Sequence, residues 1–239
     1  MSRRAVVLAG GMGTRLRPYT VVLPKPLMPI GEYPILEVII RQLAHYDFEH
    51  VTLAVNHQAE LIRAFFQDGS KWNIRVDYSM ESAPLSTIAP LKLVSDLPDN
   101  FLLMNGDVLT DLDFARLFCE HVDGHHLFTI SAAQRKQLVD YGVLRCNGHG
   151  QLIGFEEKPT LNYLVSMGIY VVSKSVLDHI PENRAYGFDN LMTDLLSRGE
   201  RVSVKPYGGY WLDIGRPDDY MTAIDEFAKR KSQFIPDAS

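Results

Sequence analysis

Short β-rich runs alternate along the chain with segments whose apolar residues recur at helical period, and this alternation narrows the fold more than any other feature. Strand-like runs lie at 5–8, 51–55, 74–78, 101–104, 127–131, 165–172 and 202–205, and helical patterns at 35–46, 59–66, 113–121, 188–197 and 217–231. Strands separated by helices pair in parallel, because the crossover returns the chain to the same end of the sheet. The expected fold class is therefore α/β with a largely parallel sheet. The stretch 141–157 breaks the pattern. There Gly142, Gly148, Gly150 and Gly154 punctuate strand-like pieces with no helix between them, which reads as a hairpin inserted antiparallel beside the sheet, a wall for a second substrate. With no internal repeat or linker, the 239 residues are expected to form one domain over 1–239, with a loose tail at 233–239.

Composition removes several classes of function. Hydrophobic residues make up 46% and charged residues 22% of the chain, ordinary values for a globular protein. A net charge of -5 leaves no overall positive field for a nucleic-acid backbone, so nucleic acid is not an expected partner. Cys119 and Cys146 stand in no zinc-like or C-x-x-C spacing, which predicts reduced thiols and a cytoplasmic location. The apolar run after Arg4 stops at Gly10-Gly11, too short for a signal peptide. No stretch is long enough to span a bilayer, so no membrane association is expected.

The strongest local signal is Leu8-Ala9-Gly10-Gly11-Met12-Gly13-Thr14-Arg15-Leu16, fed by the first strand and followed by Pro24-Lys25-Pro26-Leu27. Three glycines in four positions let phosphate oxygens approach backbone N–H groups and permit the left-handed dihedrals of an anion-binding nest. A Walker loop would end in Gly-Lys-Ser/Thr, and a dinucleotide fingerprint would need glycine where Leu16 stands. Neither spelling fits. Arg15 can fork across phosphate oxygens, and Lys25 supplies a compact charge.

These residues resemble the signature of the sugar-phosphate nucleotidyltransferases, and in particular of catalytic domains like those of mannose-1-phosphate guanylyltransferases. Further landmarks follow in order over nearly the whole chain: Asn105-Gly106-Asp107, Tyr141-Gly142-Val143, Glu156-Glu157-Lys158-Pro159, Gly168-Ile169-Tyr170 and Trp211-Leu212-Asp213-Ile214-Gly215. The resemblance implies a Rossmann-like three-layer α/β/α fold with a mostly parallel mixed sheet and a small antiparallel insertion. It implies an enzyme that joins a nucleoside triphosphate to a hexose or heptose 1-phosphate with release of pyrophosphate. Similar enzymes often carry a C-terminal left-handed β-helix; this chain ends before one could begin, so the catalytic domain alone is expected, with homo-oligomers possible.

The resemblance also assigns roles. Leu8, Ala9, Gly10, Gly11, Gly13 and Thr14 would bind the nucleotide, and Arg15, Lys25 and Lys158 would be the catalytic cations. Asp107 follows the apolar run 101–104 and Asp213 follows Tyr210-Trp211-Leu212. Both would stand at strand ends, where α/β sheets open toward ligands, and would bind Mg²⁺ with water and phosphate oxygens completing the shell. Asn105, Gly106, Gly142, Glu157, Lys158 and Gly168 would contact the sugar phosphate.

The base-recognition loop departs from the family pattern. Where similar enzymes commonly read Pro-Leu-Gly-Thr-Ala-Gly, this chain has Pro84-Leu85-Ser86-Thr87-Ile88-Ala89-Pro90. Ser86 and Ala89 replace glycines, making positive φ unfavourable at both, and Pro90 lacks an N–H. Pro84, Ser86 and Thr87 remain the expected base contacts, and Glu81 could accept from the amino and imino groups of guanine, which favours GTP.

Competing readings are weaker. A cytidylyltransferase for a small non-sugar phosphate would lack the sugar landmarks, and a silent nucleotide-sugar-binding paralogue would commonly lose the loop arginine or a metal aspartate. A related glycosyltransferase would use a D-x-D motif; Asp111-Leu112-Asp113 has that spelling but falls at a helix start, where capping accounts for it. His57, His125 and His126 lack partners at metal spacing.

Overall fold

Ala5, Val6 and Val7 are each fully buried, so the first strand is covered on both faces and belongs in the middle of a sheet. The computed structural model describes residues 3–56, 58–81 and 84–235. Its strands are β1 (Arg3–Leu8), β2 (Pro29–Ile30), β3 (Tyr33–Pro34), β4 (Phe48–Val55), β5 (Arg75–Met80), β6 (Asn100–Asn105), β7 (Val108–Thr110), β8 (Phe128–Leu138), β9 (Val143–Cys146), β10 (Leu152–Glu156), β11 (Thr160–Ser173), β12 (Val202–Tyr207) and β13 (Trp211–Asp213). Its α-helices are α1 (Ile35–His45), α2 (Ala59–Phe66), α3 (Phe114–Asp123), α4 (Phe188–Ser197) and α5 (Pro217–Phe234).

Seven strands form the main sheet in the order β12-β8-β11-β6-β1-β4-β5. β1 pairs in parallel with both β4 and β6, and only β11 runs against its neighbours. The largely parallel α/β sheet expected from the alternation is therefore present, and β11 makes it the mixed sheet that the resemblance implies. Leu36, Ile39 and Leu43 of α1, Ile62 and Phe66 of α2, and Phe114 and Leu117 of α3 pack in one cluster with Val7, Val51, Leu102 and Met104. On the opposite face, Leu191 and Leu195 of α4 pack with Val6, Leu103, Phe128 and Val172. A third cluster joins Leu16, Leu109 of β7, Leu212 of β13 and Tyr220, Ala223, Phe227 and Phe234 of α5.

The inserted hairpin is present as β9 and β10, paired antiparallel. Two features differ from expectation. β8 and β11 continue past the body of the sheet as an antiparallel arm, with Leu138 opposite Thr160 and Ala133 opposite Val165. The chain also holds to Phe234, which is fully buried and stacks on Phe227 at 6.0 Å between ring centroids; the loose tail expected from 233 is corrected to that extent, and 236–239 lie outside the described residues. No helix among the described residues is long and apolar enough to cross a membrane. Truncating a fully buried aromatic removes its transfer free energy and leaves a cavity. Phe234→Ala is therefore expected to lower unfolding stability by about 3 kcal/mol, read by chemical denaturation, where a loose tail would give no change.

Candidate active site

The sheet order reverses at β1, which is flanked by β4 on one side and β6 on the other, with β5 outside β4 and β11 outside β6. A crevice opens at the carboxyl ends of strands flanking such a switch point. Ala9 N–H donates to the Ala54 carbonyl at 2.8 Å, and Gly106 N–H to the Leu8 carbonyl at 2.9 Å, so the glycine segment is stitched to both neighbours. A Cβ on Gly106 would come within 2.9 Å of the Leu8 oxygen, and only glycine permits that approach. The resulting cavity has a volume of about 450 Å³ and is lined by Leu8, Ala9, Gly10, Gly11, Lys25, Glu81, Pro84, Ser86, Thr87, Asn105, Gly106 and Asp107 among the residues singled out in the sequence. That size suits a small-molecule ligand. Met12, Pro26, Ala54 and Asn56 also line it. Of these, Asn56 was legible in principle, since it follows the strand at 51–55 just as Asp107 follows that at 101–104.

Gly13, Thr14 and Arg15 lie outside the cavity lining. Gly13 has φ 60° and leads into a 3₁₀ turn, Thr14–Leu16, anchored by the fully buried Leu16. The exposed Arg15 reaches toward Gly215, where a Cβ would lie 3.5 Å from Arg15 Nη1 and 3.2 Å from Asp213 Oδ2. Arg15 and Asp213, almost 200 positions apart, thus share one spot.

Asp213 is brought to Asp107 by the short antiparallel pair of β7 and β13, in which it stands opposite Val108. Ile214 N–H donates to the Asp107 carbonyl at 3.0 Å. Burial, then the charge of Asp107, raise the Asp213 carboxyl above its ordinary value, against the opposite pull of Lys25 and Arg15. Asp107 Oδ2 is ion-paired with the buried Lys25, while Asp107 Oδ1 is buried with no hydrogen-bond partner. Two neighbouring carboxylates, one with an unsatisfied buried oxygen, match the hard-oxygen preference of Mg²⁺. Among the described residues no group of three or more His, Cys, Asp or Glu gathers as a metal site, and the candidate here rests on two carboxylates; His57 lies outside the described residues.

Ser86 has φ 70°, as expected for a position where glycine is usual. Ala89 corrects the parallel expectation: it opens the 3₁₀ helix Ala89–Leu93 and has no positive φ. Pro90 sits in the first turn of that helix, where its missing N–H has no intrahelical partner to lose. Glu81 Oε2 accepts from Leu85 N–H at 3.1 Å, and burial raises the carboxyl above its usual value. The loop is backed by residues 186–188. Tyr186 N–H donates to the Leu85 carbonyl, the Tyr186 carbonyl accepts from Ile88 and Ala89, and Phe188 N–H donates to Thr87 Oγ1 at 2.9 Å.

On the remaining side, Gly168 has φ 71° and lies against Asn105, whose Nδ2 would be 2.5 Å from a Cβ there. Glu157 Oε2 lies 3.1 Å from the corresponding point on Gly142. Lys158 is exposed, with φ 44°. Gly142, Glu157, Lys158, Gly168 and Asp213 do not line the cavity itself. Asp113 caps α3 through Arg116 N–H at 2.8 Å, but Asp111 does not cap. Its Oδ1 accepts from Tyr210 N–H at 2.7 Å and from the Tyr207 hydroxyl, which corrects the capping account for that residue.

The sequence profile of the Nucleotidyl transferase family matches residues 4–230. The chain belongs to that family. It is 30% identical over 241 residues to the UTP--glucose-1-phosphate uridylyltransferase of Synechocystis sp., across 92% of this chain and 62% of that protein. It is 31% identical over 249 residues to the mannose-1-phosphate guanyltransferase of Schizosaccharomyces pombe, across 99% of this chain and 68% of that protein. The chain thus spans less than two thirds of the first relative's length. The crystal structure of HddC from Yersinia pseudotuberculosis superposes with a TM-score of 0.73 at 25% identity, covering 94% of this chain and 99% of that one. As a nucleotidyl transferase family member it shares that α/β architecture.

The raised carboxyl of Asp213 sets a dependence on pH. A carboxyl whose folded-state value is raised favours the fold while protonated, and that contribution is lost as pH rises through the folded value. Asp213→Asn mimics the protonated form. In excess chelator it is expected to raise the melting temperature at pH 7, with the difference from wild type vanishing below the unfolded value near 3.8; an unchanged melting temperature at pH 7 would count against the cause given.

Proposed function

We propose that this protein transfers a nucleoside monophosphate from a nucleoside triphosphate to a hexose or heptose 1-phosphate, yielding an NDP-sugar and pyrophosphate, with GTP as the favoured triphosphate. The observation that carries this reading is the convergence, at one sheet switch point, of a glycine-rich segment, Glu81 with the 84–87 loop, and Asp107 beside Asp213. The relatives' names, a uridylyltransferase and a guanyltransferase of sugar 1-phosphates, support the reaction class. They differ in base, so the preference for GTP rests on Glu81 alone. One of its oxygens is engaged by Leu85 N–H, leaving the other to accept from the N1–H and amino group of guanine.

In the reaction, an oxygen of the sugar 1-phosphate forms a bond to the α-phosphorus as the bond from that phosphorus to the bridging oxygen breaks, and the electron pair leaves with pyrophosphate. A phosphate oxygen at neutral pH is already anionic, so no general base is needed, and the protein's task is positioning and charge neutralisation. Backbone N–H groups of Gly10 and Gly11 cradle phosphate oxygens, and Arg15 and Lys25 balance the charge that accumulates on the leaving pyrophosphate. Asp107 and Asp213 would hold Mg²⁺, which supplies Lewis-acid polarisation of the α-phosphate and a template for the two phosphates. Lys158 holds the sugar phosphate, while Glu157 and Asn105 accept and donate hydrogen bonds to sugar hydroxyls.

Pyrophosphate release measured over four triphosphates and a panel of sugar 1-phosphates tests the reading, which fails if no pair reacts. Asp107→Asn and Asp213→Asn are each expected to lower kcat by about two orders of magnitude. Arg15→Ala should chiefly lower kcat, whereas Lys158→Ala should chiefly raise KM for the sugar phosphate, and equal effects on both substrates would reject the division of labour.

Ser86 in the left-handed region favours a second reading, a silent nucleotide-sugar-binding paralogue with a disabled base loop. If the loop works, Ser86→Gly changes triphosphate KM by no more than about tenfold. If wild type binds NDP-sugar without turnover and Ser86→Gly restores it, the second reading holds.

A further inference from the structure

Asp213 is carried by a very small piece of structure. β13 has three residues and pairs with β7, which also has three. So short a pairing is marginal, and a slip of one residue turns every side chain to the opposite face. Asp213 would then point away from Asp107. Burial of Leu109, Leu212 and Ile214 opposes such a slip on one face of this ribbon, because the slip would turn those side chains out of the core, and hydrogen bonds add a directional constraint that apolar packing lacks.

The far end of the ribbon has a directional lock. Asp111, the residue after β7, accepts from Tyr210 N–H at 2.7 Å and from the hydroxyl of Tyr207 through the same oxygen. Its own N–H donates to the Tyr210 carbonyl at 3.3 Å, which also accepts from Thr110 Oγ1 at 2.8 Å. Tyr207 ends β12 and Tyr210 precedes β13, so one carboxylate clasps both sides of the Gly208-Gly209 turn. The turn is tight around it: a Cβ on Gly209 would come 2.2 Å from the Tyr207 hydroxyl and 2.7 Å from Asp111 Oδ1. Asp111 does not line the cavity.

We propose that Asp111 is a positioning residue, which by clasping the β12–β13 turn fixes the register of β13 and so holds Asp213 beside Asp107 for a divalent cation. This rests on the metal role proposed for the two aspartates. A carboxylate that merely stabilised the fold would change melting without changing metal affinity, and the two roles separate on that difference.

The test is Mn²⁺ binding to the full chain without substrates, followed by electron paramagnetic resonance, with thermal melting measured in parallel. Asp111→Ala is expected to weaken Mn²⁺ binding about tenfold, as loss of an orienting group does at metal sites. Asp111→Asn keeps an acceptor oxygen for Tyr210 and Tyr207 and should stay within about threefold of wild type. Tyr207→Phe removes one donor and leaves the Tyr210 bond, and should fall between the two; it carries the test if Asp111→Ala fails to fold. Wild-type Mn²⁺ affinity in Asp111→Ala, or in Tyr207→Phe where that variant carries the test, overturns the proposal while leaving the metal site standing. A wild-type protein that binds no Mn²⁺ overturns the metal site and this proposal together.

Discussion

Asp213 is held beside Asp107, where burial and the charge of that neighbour oppose its ionisation, and much of the surrounding structure exists to tolerate that arrangement. Asp107 is supplied by the central parallel sheet, Asp213 by a three-residue strand outside it. The two meet because α5 and the third core cluster press β7 and β13 together. Lys25, only 8% exposed, would itself be unfavourable there without a counter-charge, which Asp107 supplies through Oδ2 while its Oδ1 stays without a partner. The same cluster buries Leu16, which fixes the turn that sends Arg15 toward Asp213. Charge neutralisation and core packing are therefore parts of one construction.

The elements legible in the sequence are those whose burial is one-sided or complete. β1, β4 and β6 read as strands because parallel strands covered on both faces leave continuous apolar runs. The distal half of β8, Gln134-Arg135-Lys136-Gln137, is exposed throughout, so no alternation marks it, and only its pairing with β11 makes it a strand. The end of α5 was legible but misread. Tyr220, Phe227 and Phe234 recur every seven residues and all are buried, but Arg230, with φ -125° and ψ 26°, kinks the helix, so Phe234 reaches the core on a last turn beyond the break.

In the site, residues at strand ends were legible because topology alone places them: Asn105, Gly106 and Asp107 after β6, the glycines after β1. Arg15 and Asp213 required the family resemblance, since nothing in local pattern predicts that positions 15 and 213 are neighbours. The role of Asp111 was hidden by its neighbour Asp113. Both precede a helix, and one local explanation appeared sufficient for two residues that face different partners.

The loop at 84–90 is shaped from behind. A serine in the left-handed region stores strain of roughly 1 kcal/mol or more, yet the loop's backbone is tied by Tyr186 to Leu85, Ile88 and Ala89, and by Phe188 to Thr87. At about 1 kcal/mol for each bond, those four contacts outweigh the strain at one residue. Tyr186 is itself buried and its hydroxyl donates to Asp194 at 2.5 Å, so the strap is anchored to α4 rather than free to follow the loop. Gly187 completes the arrangement, because a Cβ there would lie 3.0 Å from Ser86 Oγ. The missing side chain at 187 makes room for the added one at 86. A Cβ at 187 would come still closer to Asp189 Oδ1, at 2.5 Å, so the bare backbone there serves the first turn of α4 as well as the serine of the loop.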